Sequence, residues 1–152
     1  QPEVNVVRVA LQALAAVLSA HLDGMARLVA EAEALAAQQV EAIRDRFARR
    51  MADLSGEAGE GLAERVMQEA AALAVKADVR EELDRLHSHI EQARRLIGQE
   101  VAPGRKLDFL AQEFMREANT LCSKSALIEL TRTGLELKAV VDQFREQTQN
   151  VE

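Results

Sequence analysis

Apolar positions recur along most of this chain at three-, four- and seven-residue steps, the spacing that gathers them on one side of an α-helix. From Val6 to about Leu54 the stripe is Leu14, Leu18, Met25, Leu28, Leu35, Ile43 and Phe47, which predicts one long helix. Arg27, Glu31, Glu33, Arg44, Asp45 and Arg49 surround that stripe as a solvated face. Pro2 and Asn5 suit the helix entry, since proline is tolerated in a first turn. Gly24 interrupts the interior at a cost of about 1 kcal/mol relative to alanine, so a kink or a close helix crossing is expected there.

Ser55-Gly56-Glu57-Ala58-Gly59-Glu60-Gly61 has three glycines in seven residues and no large apolar side chain, which predicts a turn. A second helix follows from about Leu62 to Lys76, with Leu62, Val66 and Leu73 inward, and a short connection favours an antiparallel hairpin with the first. Asp78-Val79-Arg80-Glu81 has the form of a capping box. It opens a third helix to about Gln99, with a seam of Leu83, Leu86, Ile90, Ala93 and Ile97. Ala102-Pro103-Gly104 breaks the chain. A fourth helix, about Lys106 to Thr120, buries Leu107, Leu110 and Phe114. Leu121-Cys122-Ser123 reads as a junction, with Ser123 or Ser125 capping a last helix to about Gln149. Its stripe is Leu127, Leu130, Gly134, Leu137, Val141 and Phe144, with Gly134 allowing a close approach. The expected fold is all-α: a long antiparallel helical hairpin over residues 1–77, then a C-terminal bundle of about three helices over 78–152.

Composition supports that class. Hydrophobic residues make up 48%, mostly Ala and Leu, while aromatics are only 3%, without Trp or Tyr. These are helix formers rather than strand formers. The net charge of −6 changes the functional picture more, because an acidic chain lacks the general field that draws phosphates. A self-sufficient nucleic-acid module is therefore disfavoured, and any positive surface must be local or come from another domain or subunit. The single cysteine, Cys122, excludes an internal disulfide and a cysteine-based metal cluster, and fits a reducing, cytoplasmic setting. Apolar runs read as too short for a membrane span, so no membrane association is expected. The start at Gln1 rather than Met suggests a fragment or a processed form.

Candidate chemistry concentrates between Asp78 and Lys124. Glu113 and Glu117 stand four apart, so both carboxylates project from one helix face, where like charges cost a few tenths of a kcal/mol. Arg116, Arg105, Lys106 or a divalent cation would offset them; from spacing alone a salt-bridged solvated face is the favoured reading. On the third helix Glu82, Arg85, His89 and Gln92 form a polar stripe beside the seam. His89 reads either as a core-edge histidine or, with Glu81, Glu82, Glu113 and Glu117, as the one nitrogen of an oxygen-rich site. Such a site suits Mg²⁺ or Mn²⁺ better than Zn²⁺. His87, off the stripe, is expected to be exposed. Asn119, Thr120, Ser123 and Lys124 fit either phosphate binding or capping at a helix start. No glycine-rich phosphate loop follows a strand, Ser123-Lys124 is too common a pair to indicate a nucleophile, and Ser88-His89 offers no third orienting partner.

These same residues carry a resemblance. Asp78-Val79, Glu81-Glu82-Leu83-Asp84-Arg85-Leu86, Ser88-His89-Ile90 and Gly104-Arg105-Lys106-Leu107-Asp108-Phe109 resemble the C-terminal region of the bacterial YicC family. Gln112-Glu113-Phe114, Arg116-Glu117-Ala118-Asn119-Thr120, Ser123-Lys124-Ser125, Glu136-Leu137-Lys138 and the closing residues from Gln143 continue the match. The resemblance implies a metal-dependent endoribonuclease using Mg²⁺ or Mn²⁺, linked to small-RNA turnover and stress. It also implies an additional N-terminal α/β domain and homo-oligomers, hexamers in full-length members, that enclose RNA. Carried over by position, it makes Glu113, Glu117 and His89 the catalytic candidates. Glu81, Glu82, Asp108, Glu113 and Glu117 become metal-ligand candidates, with Asp84 a further acid. Arg85, Arg105, Lys106, Arg116, Asn119, Ser123 and Lys124 become the RNA-binding candidates. Two positions depart from the family pattern: Met115 stands where Asn is usual, and Cys122 where a small residue is usual. The rival expectation is a non-catalytic helical scaffold for oligomerisation or partner binding. It requires the polar residues of the third and fourth helices to satisfy one another and leave no open cleft.

Overall fold

The computed structural model describes residues 2–54, 60–99 and 103–150. Five helices account for nearly all of them: α1 Pro2–Leu54, α2 Glu60–Lys76, α3 Arg80–Ile97, α4 Gly104–Lys124 and α5 Ile128–Thr148. The described residues contain no strand, so the all-α expectation holds. At 53 residues, α1 is about 80 Å long.

The core is a ring of four helices in which α1 packs on α3 and α5, and α4 also packs on both. α1 contributes Leu18, Leu22, Met25, Leu28, Val29 and Ala32; α3 contributes Leu83, Leu86, Ile90 and Ala93. From α4 come Leu107, Leu110, Phe114, Ala118 and Leu121, and from α5 Leu130, Leu137, Val141 and Phe144. Phe114 and Phe144 meet edge to face at 5.8 Å between centroids in its middle, a favoured aromatic geometry. The three helices expected after position 78 thus close only with a segment of α1 as the fourth. The distal part of α1 forms the hairpin with α2, where Ile43 and Val66 are buried.

Several local readings change. α1 begins at Pro2 and passes through Gly24 without a break, and a Cβ there would meet only Val140 Cγ1 at 3.9 Å, an ordinary contact. The capping box does not form. Asp78 lies one residue outside the cap and accepts the Arg80 backbone N–H at 3.0 Å, while Glu81 turns to Arg85 at 3.7 Å. The Arg80 guanidinium bonded to Asp78 lowers that carboxyl's pKa to about 2. α4 runs straight through the supposed junction to Lys124, because Leu121 is fully buried in the core. Neither serine caps α5. Ser123 donates to Thr120 O at 3.2 Å and Ser125 to Leu127 O at 2.8 Å. Gly134 is a close approach as expected, since a Cβ there would lie 2.6 Å from Cys122 Sγ.

The expectation that no apolar run is long enough to cross a membrane also needs correcting. An 18-residue window near the start of α1 meets that test by length and composition. Asn5, Arg8 and Gln12 mask it from a search for unbroken runs. Val4, Val6, Val7, Val9 and Leu11 are exposed there, and the same helix enters the core at Leu18.

Gln39 of α1 ties the junctions together. Its buried amide donates to Ala77 O at 2.7 Å and accepts the Ala126 N–H at 2.7 Å. Those groups lie at the α2–α3 and α4–α5 connections, so one side chain satisfies two backbone groups that have left their helices.

Candidate nucleic-acid interface

α3 and α4 lie side by side, and their polar residues divide into two sets. The inner set is built on two buried carboxylates, Glu82 on α3 at 2% exposure and Glu117 on α4 at 4%. Burying a carboxylate costs heavily unless it is paired and hydrogen-bonded. Lys124 Nζ donates to Glu82 Oε1 at 2.7 Å and to Asp78 O at 3.4 Å. Arg85 Nε donates to Glu117 Oε1 at 2.8 Å, and its terminal nitrogens reach Glu82 at 3.9 Å and Glu81 at 3.7 Å. The Glu117 hydrogen bond raises the Arg85 pKa, and the bond to Glu82 raises that of Lys124. Both cations are held in their charged forms. Glu82 Oε2 is buried with no hydrogen-bond partner.

Other candidates stand apart from this cluster. Asp108 accepts from Gln112 Nε2 at 3.2 Å and faces Arg145 of α5 at 3.7 Å. His89 is half-buried with its ring edge-on to Phe114, and its Nδ1 is buried without a partner. Glu113 is half-buried and makes no ion pair among the described residues. Asp84 is exposed. His87, exposed as expected, meets the Glu33 carboxylate of α1. Among the described residues no three His, Cys, Asp or Glu side chains are grouped as metal ligands. With Lys124 and Arg85 directed at the buried carboxylates, the described residues do not by themselves fit a divalent-ion site.

The outer set lies along the solvent face of α4. Arg105, Phe109, Gln112, Arg116, Asn119 and Ser123 follow at steps of four, three, four, three and four, and all are exposed. Helical geometry therefore aligns them in one row. Arg105, Arg116 and the neighbouring Lys106 have no carboxylate partner among the described residues. Of the seven RNA-binding candidates, five thus face solvent on α4, while Arg85 and Lys124 are occupied by buried acids.

A family model described as "Endoribonuclease YicC-like, C-terminal" matches residues 18–152. This chain belongs to that family. It is similar to two proteins named "Probable endoribonuclease YicC". The one from Haemophilus influenzae is 48% identical over 89 residues, covering 59% of this chain and 31% of that relative. The one from Clostridioides difficile is 35% identical over 139 residues, covering 91% of this chain and 47% of that relative. The chain therefore spans about half, or less, of the length of these curated relatives. In this YicC-like chain the family match opens at Leu18, the residue where α1 becomes buried. Met115 packs half-buried against the core. Cys122 sits against Gly134, and burial raises its thiol pKa.

Sequence reasoning missed Gln39, which looks like any glutamine on a long helix; nothing local announces contacts 38 and 87 residues away. Phe109 was also missed, although it falls outside the stripe of Leu107, Leu110 and Phe114 and so signalled its exposure.

Proposed function

We propose that this chain is the C-terminal helical part of an endoribonuclease that cleaves RNA phosphodiester bonds. Its membership of the YicC-like family supports this reading, and so do the exposed cations Arg105, Lys106 and Arg116 of α4, which have no carboxylate partner among the described residues of an otherwise acidic chain. Arg105, Lys106 and Arg116 would neutralise backbone phosphates, with Asn119 and Ser123 adding hydrogen bonds. Glu113 is the acid best placed for proton transfer, because no cation occupies it and it borders the row. Glu117 and Arg85 act as positioning residues between α3 and α4. The reading extends to a cytoplasmic protein in small-RNA turnover or stress response that forms homo-oligomers, hexameric in the full-length form. It includes dependence on Mg²⁺ or Mn²⁺, whose ligands would come in part from the rest of the full-length protein or from a neighbouring subunit.

Cleavage of a labelled single-stranded RNA with Mn²⁺ or with EDTA, by this chain and by a full-length version, tests the proposal. Metal-dependent cutting by either supports it, and cutting by neither overturns it. Glu113→Gln in the cutting form is expected to abolish turnover and leave RNA affinity intact; an unchanged rate removes Glu113 from the chemistry. The scaffold reading draws support from the inner cluster, whose Lys124 and Arg85 are bonded to Glu82 and Glu117 and, through Lys124, to the Asp78 carbonyl of the α2–α3 connection. Calorimetric titration of the full-length version separates the two: saturable Mn²⁺ binding favours the nuclease, and no heat at millimolar metal favours the scaffold.

A further inference from the structure

Between the last turns of α3 and the first turns of α4 lies an open cleft of about 480 Å³, lined by Gln92, Arg95, Gln99, Arg105, Lys106 and Phe109 with leucines at its floor. We propose that this cleft is a stacking site for a base of single-stranded RNA, with Phe109 as the platform. The inference rests on the nuclease reading and adds to it a strand type, a platform residue and a second helix.

Phe109 carries the argument. It is 59% exposed, while Phe114 and Phe144 are fully buried. An aromatic side chain left in water forgoes the apolar burial that usually places it inside. Here it stands at the mouth of a cleft rather than alone on a convex surface.

Among the described residues, the charges that line the cleft are all positive. Arg95 comes from α3, and Arg105 and Lys106 from α4; none has a carboxylate partner among the described residues. None of the described carboxylates lines the cleft; of the acids on the two helices, Glu91 is bonded to Arg94 at 2.8 Å, Asp108 faces Arg145 at 3.7 Å, and Glu113, one turn beyond Phe109, has no ion pair among the described residues. A chain of net charge −6 therefore presents a locally cationic cleft around an aromatic ring. The side chains of Gln92 and Gln99 supply amide donors and acceptors at the same place.

Cations beside an exposed aromatic suit a single strand. The phosphates meet the cations, and a base face meets the ring, whichever base it is. A duplex hides its base faces in its own stack, so Phe109 would give it nothing. Among the described residues the cleft is open rather than enclosed, which suits a strand better than an enclosed small molecule. It also opens onto the row that continues through Gln112, Arg116, Asn119 and Ser123, giving a track about 27 Å long.

The chain has no tryptophan, so Phe109→Trp introduces a sole indole reporter at the platform. Saturable quenching of its emission by a single-stranded 12-nucleotide RNA, but not by the matching duplex, is the expected result. Phe109→Ala and Phe109→Leu should each weaken single-strand binding about tenfold or more, with duplex binding and helical content unchanged. Arg95→Ala should lower the slope of log affinity against log salt by about 0.7. Wild-type single-strand affinity in Phe109→Ala, with binding still weakened by Arg116→Ala, overturns the stacking site and leaves the nuclease reading standing. Equal quenching and competition by a poly-glutamate peptide overturns RNA as the occupant. Absence of RNA binding by the wild-type chain, together with absence of cleavage, overturns both.

Discussion

The inner and outer polar sets of α3 and α4 use the same residue types and differ in what faces them. Inside, Lys124 and Arg85 are held within 2.8 Å of the buried Glu82 and Glu117, and their charges are consumed in making that burial tolerable. Outside, Arg95, Arg105, Lys106 and Arg116 are exposed and have no carboxylate partner among the described residues. A cation bound to a buried acid belongs to the stability of the fold; an unpaired one remains available to a phosphate. The same comparison divides the acids: Glu117 is committed to Arg85, whereas Glu113, one turn earlier, is not.

The strongest way to break this contrast is Lys124→Met. Removing the ammonium leaves the Glu82 carboxylate buried with only the more distant Arg85, so a loss of about 2–3 kcal/mol is expected in urea unfolding. Lys124 would join the outer set instead if stability held and RNA affinity fell. Arg116→Ala should do the reverse. Stability stays within about 0.5 kcal/mol, as for surface changes generally, while RNA binding weakens and its salt slope falls by about 0.7. A drop in unfolding midpoint for Arg116→Ala would erase the distinction.

The smallest effect is a pH dependence confined to the inner set. The Lys124 pKa is raised by its bond to Glu82, so the pair stabilises the fold fully below the free-lysine value of about 10.4. That contribution is lost as pH rises through the higher folded value. Because Lys124 is partly exposed, the alkaline loss should be modest. Urea midpoints across that range should show a component in the wild-type chain that Lys124→Met lacks, and equal alkaline slopes would contradict the assignment.

The elements were legible because helix periodicity is a local property. The stripes of α1, α3, α4 and α5 lie within single segments, and Gly134 announced a close contact by lacking a side chain. Element ends were less legible where tertiary burial outweighed local signals. Leu121-Cys122-Ser123 looked like a junction, but the core takes Leu121 and keeps α4 helical. Asp78 and Glu81 had capping-box spacing, but Arg85 one turn on drew Glu81 away.

By itself, then, the sequence determined an all-helical chain, the apolar face of each helix, the family and a list of polar residues worth attention. It could not determine which of them were free. Glu82 meets Lys124 across 42 residues and Glu117 meets Arg85 across 32. Gln39 likewise joins two distant connections. Such pairings exist only once the four helices close their ring, because burial makes an unpaired charge costly and packing alone decides which partner is within reach. Solvent exposure of Phe109 beside unpaired cations is the other side of that outcome, decided by which face of α4 the core left uncovered.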